Sequence, residues 1–223
     1  MTTPLLILSG AGLPAWIWDD VRAALPADQA TSVASYPGTG SLRDYVGKVL
    51  AEAPERFIVV AHSIGGVIGS QLVADAPDRV EGFIGVAASI PKPGQSFVGA
   101  LPFPNKLIVS AIMRLAGTRP PAKAIRSGLA SDLDDEQAAR IVKEFSPESQ
   151  QLYRDPVGDR RFPALRGYVQ TTNDKELPPA LQATYAATLH ATSVQSLQTG
   201  HLPMLAAPDA LAAAVQGFLG AKD

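Results

Sequence analysis

Ser63 stands in residues 61–65, Ala-His-Ser-Ile-Gly, directly after the apolar run of residues 57–60. A buried strand that leads into a turn with small residues two before and two after a serine is the pattern of a nucleophile elbow. The strained backbone of such an elbow exposes the serine Oγ, where a base can take up its proton. We therefore interpret Ser63 as a candidate nucleophile. The alternative is an ordinary strand-to-helix turn with a capping serine.

A serine nucleophile needs a base, and the base needs an acid that fixes its tautomer. His201 is the candidate base, because it follows the last predicted strand and would lie at the same sheet edge as Ser63. Asp174, just past the fifth predicted strand, is the candidate acid, with Asp155 and Asp159 as rivals in a region without strands. The alternatives are a loop histidine hydrogen-bonded to the backbone and an aspartate that only forms a turn.

The oxyanion of an acyl-transfer reaction needs two hydrogen-bond donors. The backbone N–H of Ile64, which follows the nucleophile, is one candidate. The other lies in the turn of residues 9–12, Ser-Gly-Ala-Gly, after the first predicted strand. We assign it to Ala11, with Gly12 as the runner-up. The alternative is that these glycines only make a tight turn.

Six apolar runs of strand length alternate with helical patterns along the chain. They cover residues 5–8, 31–36, 57–61, 80–87, 165–171 and 191–197. Continuous apolar runs are typical of strands that are buried on both faces. The alternation predicts an α/β fold, with right-handed crossovers and a mainly parallel sheet flanked by helices.

Residues 91–159 interrupt this alternation, because they contain no convincing strand. We interpret them as a helical cap or lid inserted into a core of residues 1–90 and 160–223. Five apolar side chains are expected to line an acyl pocket beneath it, namely Trp16, Leu107, Ile108, Ala111 and Ile112. The alternative is that the apolar stripes of the insertion only pack it onto the core.

The composition limits the range of functions. With 223 residues, 46% of them hydrophobic and 18% charged, the chain can form one sizeable core. A net charge of −2 without a basic run predicts neither nucleic acid nor a membrane as a partner. The chain has no cysteine, and its three histidines lack the close spacing of a zinc site, so we expect no metal and no cofactor. A short N-terminal apolar run without a basic leader predicts a cytoplasmic protein, either monomer or homodimer.

Together these motifs resemble the α/β-hydrolase superfamily over essentially the whole chain, with the order serine, aspartate, histidine. Residues 9–11 resemble its His-Gly-X oxyanion turn with serine in place of histidine, and residues 37–40 resemble its Pro-Gly-X-Gly turn. Within the superfamily the likeness is to the plant-type methylesterase and hydroxynitrile lyase group and its bacterial esterase relatives. The matching segments are residues 15–18, 145–148, 172–178 and 200–205.

The resemblance implies a serine hydrolase that cleaves a carboxylic ester of a small to medium apolar substrate through an acyl-enzyme. It places Asp174 and His201 on the acid and base of the group, and Ala11 in its oxyanion turn. The lyases carry a lysine where this chain has Leu202 and a threonine where it has Gly10, which argues against a lyase. The alternatives are a thioesterase or lactonase, a C–C bond hydrolase, and a non-catalytic small-molecule binder.

Overall fold

The computed structural model describes residues 2–220. Its sheet has the strand order β2-β1-β3-β4-β5-β6, and every neighbouring pair is parallel. The strands are β1 (Leu5–Leu8), β2 (Thr31–Val33), β3 (Phe57–His62), β4 (Val80–Val86), β5 (Leu165–Thr171) and β6 (Ser193–Leu197). The predicted α/β class with a parallel sheet is confirmed, although the two edge strands are shorter than their apolar runs.

Helices cover both faces of this sheet. In chain order they are α1 (Asp19–Ala24), α2 (Leu42–Glu52), α3 (Gly65–Asp75), α4 (Phe97–Ala100), α5 (Asn105–Ala116), α6 (Ala122–Ser127), α7 (Asp135–Glu144), α8 (Gln150–Arg154), α9 (Pro179–Leu189), α10 (Pro203–Ala206) and α11 (Pro208–Gly220), with 3₁₀ turns at Ala15–Trp18 and Pro77–Arg79. Helices α2, α3 and α9 bury their apolar side chains in the core on one face, and α1 and α11 do so on the other. No helix within residues 2–220 is long and apolar enough to cross a membrane.

Five helices, α4 to α8, fill the fully described stretch between β4 and β5. The core on the α3 face includes Leu152 of α8, whereas Ile125 of α6 and Ile141 of α7 belong to the core on the opposite face. The dipeptide 146–147, Ser-Pro, predicts a helix start, but α8 begins later, with the Ser149 hydroxyl accepting a hydrogen bond from the Gln151 N–H. The insertion thus packs against both faces of the sheet.

Strands β1 and β3 are neighbours in the sheet, and the chain proceeds outward from them in opposite directions. Strand β2 lies on the far side of β1, whereas β4, β5 and β6 follow on the far side of β3. Leu8, the last residue of β1, pairs with Ala61 near the end of β3. The turn after β1 and the elbow after β3 therefore leave the same sheet edge side by side. In open parallel sheets this switch point is where ligands bind.

Candidate active site

Ser63 sits in a strained turn between β3 and α3. Its φ of 53° lies in the left-handed region, which non-glycine residues rarely adopt. The Ser63 N–H donates to the Ala87 carbonyl at 3.2 Å, and the Ser63 carbonyl accepts from the Ser89 N–H at 2.9 Å. The segment that follows β4 thereby holds the strained backbone in place.

The small residues around Ser63 are required by close packing. A Cβ atom on Gly65 would collide with the Leu8 carbonyl, because the start of α3 lies against the end of β1. A Cβ atom on Gly66 would likewise meet the Ser89 carbonyl. Ala61, two residues before the serine, is fully buried. Glycine and alanine at these places let the helix approach the sheet closely enough to form the elbow.

Asp174 and His201 form a buried pair. The His201 Nδ1–H donates to Asp174 Oδ2 at 2.7 Å, and both side chains are almost fully shielded from solvent. The Thr171 hydroxyl donates to the same oxygen at 2.8 Å, and the Gln182 side-chain amide donates to it at 3.2 Å. The other carboxylate oxygen, Oδ1, accepts the backbone N–H groups of residues 176 and 177 at 2.8 and 2.9 Å.

These donors decide the ionisation of Asp174. Burial alone would raise the pKa of its carboxyl group, but the hydrogen bonds from His201, Leu177 and Thr171 outweigh burial and lower the pKa. The carboxylate is therefore ionised at neutral pH and fixes the His201 proton on Nδ1. In neutral His201 the other ring nitrogen, Nε2, is left free of a proton and can accept one.

His62, the residue before Ser63, contacts the same histidine from another side. Its Nε2 atom lies 2.8 Å from the His201 carbonyl oxygen, and the two rings are 4.8 Å apart. Because a carbonyl only accepts, the His62 Nε2 atom must carry the proton. Burial, followed by the nearby His201, lowers the pKa of His62 to about 3, so His62 is neutral at neutral pH.

The loop that carries His201 is also tied to the insertion. The Asp132 carboxylate, between α6 and α7, accepts a short hydrogen bond from the Gly200 N–H. A Cβ atom on Gly200 would collide with that carboxylate. No sequence signal pointed to Asp132, because it lies 68 residues from Gly200 and only the fold brings them together.

The two candidate oxyanion donors are unoccupied by other protein groups. Within residues 2–220, the Ala11 and Ile64 N–H groups donate to no protein acceptor. The Gly12 N–H, in contrast, donates to Glu148 Oε1 at 3.4 Å, and the Gly12 carbonyl accepts from the Ser146 N–H at 3.0 Å. Between the two candidates in this turn, the hydrogen bonds therefore favour Ala11.

Two aromatic side chains donate hydrogen bonds to the turn after β1. The buried Trp18 donates its indole N–H to Ser9 Oγ at 3.2 Å. The Tyr36 hydroxyl donates to the Ser9 carbonyl at 2.9 Å. Burial raises the pKa of the Tyr36 hydroxyl well above its ordinary value, so it remains a donor at neutral pH. Ser9 thus stabilises the turn by accepting hydrogen bonds through its hydroxyl and carbonyl oxygens.

The residues expected to line an acyl pocket are mostly exposed in this structure. Four of them face solvent on α5, with exposed fractions of 58% for Leu107, 52% for Ile108 and 53% for Ile112, and with Ala111 also exposed. Trp16 donates its indole N–H to Glu144 Oε2 at 2.6 Å and lies under the Arg140 guanidinium, 3.6 Å from its carbon. In this structure the four α5 side chains therefore lie at the protein surface, and an acyl-lining role for these five residues stays a prediction. Helical spacing predicts a face but not what covers it.

The rival acids are engaged away from His201. Asp155 accepts the Leu42 N–H at 2.9 Å, and Asp159 accepts the Arg160 N–H at 2.9 Å. Among residues 2–220 the Ser63 hydroxyl makes no hydrogen bond, and the bond from His62 to the His201 carbonyl links the elbow to the candidate base. The structure thus brings Asp174, His201 and the elbow together at one sheet edge.

A family model described as "Alpha/beta hydrolase family" matches residues 5–214, which is almost the whole chain. The chain belongs to the alpha/beta hydrolase family. The resemblance drawn from its motifs is confirmed at this level. Asp174, His201 and the elbow all fall within the matched range.

Among curated members of the hydrolase family, similar proteins are pimeloyl-[acyl-carrier protein] methyl ester esterases. The one from Pectobacterium carotovorum subsp. carotovorum is 40% identical over 95 residues, which cover 39% of this chain and 37% of that protein. The one from Edwardsiella ictaluri is 36% identical over 93 residues, which cover 38% and 36%. The chain therefore matches little more than a third of the length of these relatives.

Solved structures show the same hydrolase fold over the full chain. A pyrethroid hydrolase from Sphingobium faniae JZ-2 has a TM-score of 0.80 at 23% identity, covering 100% of this chain and 99% of that one. Polyneuridine aldehyde esterase has a TM-score of 0.74 at 17% identity, covering both chains fully. A methylesterase from Arabidopsis has a TM-score of 0.77 at 19% identity, covering 98% and 99%. At these identities the likeness shows the fold alone.

Proposed function

We propose that this chain is a serine hydrolase that cleaves a carboxylic ester of a small to medium apolar substrate. The observation that carries the proposal is the buried hydrogen bond of 2.7 Å between Asp174 Oδ2 and His201 Nδ1, beside an elbow whose serine has a φ of 53°. A strained serine next to an oriented histidine is the arrangement of an activated nucleophile. The names of the partly matching relatives, methyl ester esterases, support an ester as the substrate.

In the proposed reaction Ser63 Oγ attacks the ester carbonyl while His201 Nε2 takes up the hydroxyl proton. The Ala11 and Ile64 N–H groups stabilise the oxyanion of the tetrahedral intermediate. Asp174 holds the histidine tautomer and stabilises the imidazolium. His201 returns the proton to the leaving alcohol, which leaves Ser63 acylated. A water molecule, deprotonated by His201, then releases the acid and restores the serine.

Residues 91–159 are proposed to act as the lid over this edge. The strap of residues 145–148 supports that role, since it bonds to both polar groups of Gly12 in the turn of the candidate oxyanion hole. Asp132 supports it as well, by its bond to the loop of His201. A substrate group that moves the insertion would therefore also move the groups that react.

The test is hydrolysis of p-nitrophenyl esters from acetate to decanoate by wild type and Ser63→Ala. We expect wild-type turnover that falls by about 10⁶ in the variant, and the chain-length optimum measures the acyl site. Turnover that survives the substitution overturns the proposal. Preference for thioesters, lactones or dienone C–C substrates over every ester would assign the same three residues to one of those reactions. Absence of turnover on all of them would favour a non-catalytic binder.

A further inference from the structure

A cavity lies at the amino-terminal ends of the strands, whereas Asp174 and His201 lie past the carboxyl ends. It has a volume of about 350 Å³ and is lined by the segment before β5, the start of β5 and the end of α9. Arg166 lines it from the second position of β5, whereas Thr171, which bonds Asp174, is the last residue of that strand. Five residues of strand separate the two places by about 16 Å. This cavity is therefore distinct from the proposed active site.

The lining of this basic pocket carries three arginines and a histidine and no acidic side chain. They are Arg160, Arg161, Arg166 and His190. Within residues 2–220 none of the three guanidinium groups forms an ion pair. The nearest acid in sequence, Asp159, is exposed and accepts the Arg160 backbone N–H. Positive charge in the pocket is therefore largely uncompensated by carboxylates.

Arg160 shows most clearly the free-energy cost of burying a guanidinium group without a carboxylate partner. Its two terminal nitrogens donate to the Pro91 and Gly158 carbonyls, and its guanidinium lies 4.8 Å from the Phe162 ring centre. Its Nε atom is buried without a hydrogen-bond partner. Burial lowers the pKa of this guanidinium to about 10, because removing a cation from water costs free energy. A bound anion would compensate that charge.

Backbone carbonyls also fix the second guanidinium. Arg166 donates from Nε to the His190 carbonyl at 2.7 Å and from Nη1 to the Pro163 carbonyl at 3.0 Å. Arg161 is exposed at the rim of the pocket. The guanidinium groups of Arg160 and Arg166 are thus held in place before any ligand binds, which lowers the entropic cost of binding. The exposed Arg161 side chain can then move onto the bound ligand.

We propose that the basic pocket binds the phosphate group of a small phosphorylated molecule. A phosphate monoester carries close to two negative charges at neutral pH and three acceptor oxygens, which suits several guanidinium groups better than one carboxylate does. The volume leaves room for a small organic part beside the phosphate, since ligand cavities begin at about 300 Å³. The proposal does not depend on the hydrolase reaction.

The test is isothermal titration calorimetry with glycerol 3-phosphate, inorganic phosphate and malonate at constant ionic strength. The proteins are wild type, Arg161→Gln, Arg161→Glu and the control Arg43→Gln, which removes an exposed charge on α2 outside the pocket. We expect saturable binding of both phosphates to wild type and Arg43→Gln. Arg161→Gln should weaken it about tenfold, as one charged hydrogen bond is lost, and Arg161→Glu should abolish it.

Three results would overturn the proposal. The first is no saturable binding of either phosphate to wild type. The second is an equal loss of affinity in Arg43→Gln, which would indicate attraction to the overall charge of the protein. The third is binding of malonate as tight as that of the phosphates, which would show a carboxylate site. Far-UV circular dichroism of each variant establishes that it is folded before the titration.

Discussion

The Nε2 atom of His62 lies 2.8 Å from the carbonyl oxygen of His201, so the residue next to the candidate nucleophile holds the backbone of the candidate base. The two residues are 139 positions apart in the chain. The contact requires a proton on His62 Nε2, and burial keeps the ring in the neutral form that carries its single proton there. The His62 ring is therefore part of the support of the site, although it takes no part in the proposed reaction.

The lowered pKa of His62 predicts a pH dependence of stability. Its folded pKa of about 3 lies below the ordinary value of 6.5, so between these pH values the unfolded chain binds a proton that the folded protein does not. The free energy of unfolding should therefore fall as the pH falls from 6.5 toward 3, by on the order of 4 kcal/mol in total. Urea unfolding of wild type and His62→Gln at pH 7, 6, 5 and 4.5 measures the slope.

We expect a flatter slope in His62→Gln than in wild type over that range. His190→Gln is the matched control, since His190 is exposed on the end of α9. A slope in His62→Gln equal to that of wild type would contradict the account of His62.

Asp174→Asn should leave the protein folded but lower turnover by about 10⁴, because the amide cannot hold His201 in the same tautomer. Asp159→Asn, which changes an exposed rival acid, is the control and should keep wild-type turnover. Equal turnover in the two variants would remove Asp174 from the mechanism.

The lowered pKa of Asp174 also affects the stability of the protein. Its ionised carboxylate stabilises the fold at pH values above the ordinary aspartate pKa near 4, and that stability is lost as the pH falls further.

The sequence predicted the fold and the loops of the site better than the contacts that support them. Strand-length apolar runs and the motifs around Ser63, Asp174 and His201 are local signals. The bonds from His62 to His201 and from Asp132 to Gly200 join positions that are 139 and 68 residues apart. No local pattern encodes such contacts. For the insertion the apolar stripes indicated helix faces, but the exposure of the apolar face of α5 depends on tertiary packing.

Asp132→Ala should act on the reaction through the loop of His201. Removing the acceptor of the Gly200 N–H lets this loop shift, and misplacement of a reacting group lowers turnover by about ten- to a hundredfold. Asp132→Asn keeps an acceptor oxygen and should recover part of the loss. Steady-state kinetics should show the change in kcat rather than in KM. Asp135→Ala, at an exposed position of α7, is the control, and an equal loss in that variant would contradict a specific role.

Gly12 and Gly38 offer a matched pair for the turn of the candidate oxyanion hole. Both have positive φ, 70° and 73°, but only at Gly12 would a Cβ atom collide with the Phe145 ring and the Ser146 carbonyl. Gly38→Ala should cost about 1–2 kcal/mol of stability, the price of the backbone conformation alone. Gly12→Ala should cost more and also lower turnover. Thermal unfolding and ester hydrolysis measure both, and equal effects would contradict the packing of this strap on the turn.

In the proposed reaction Ser63 forms the covalent intermediate. The most direct measurement is peptide mass spectrometry after reaction of wild type, Ser63→Ala and Ser127→Ala with a fluorophosphonate. Ser127 is an exposed serine in the insertion and provides the control. We expect one phosphonyl group, on Ser63, in wild type and Ser127→Ala, and none in Ser63→Ala. Labelling of another residue, or equal labelling of Ser63→Ala, would contradict it.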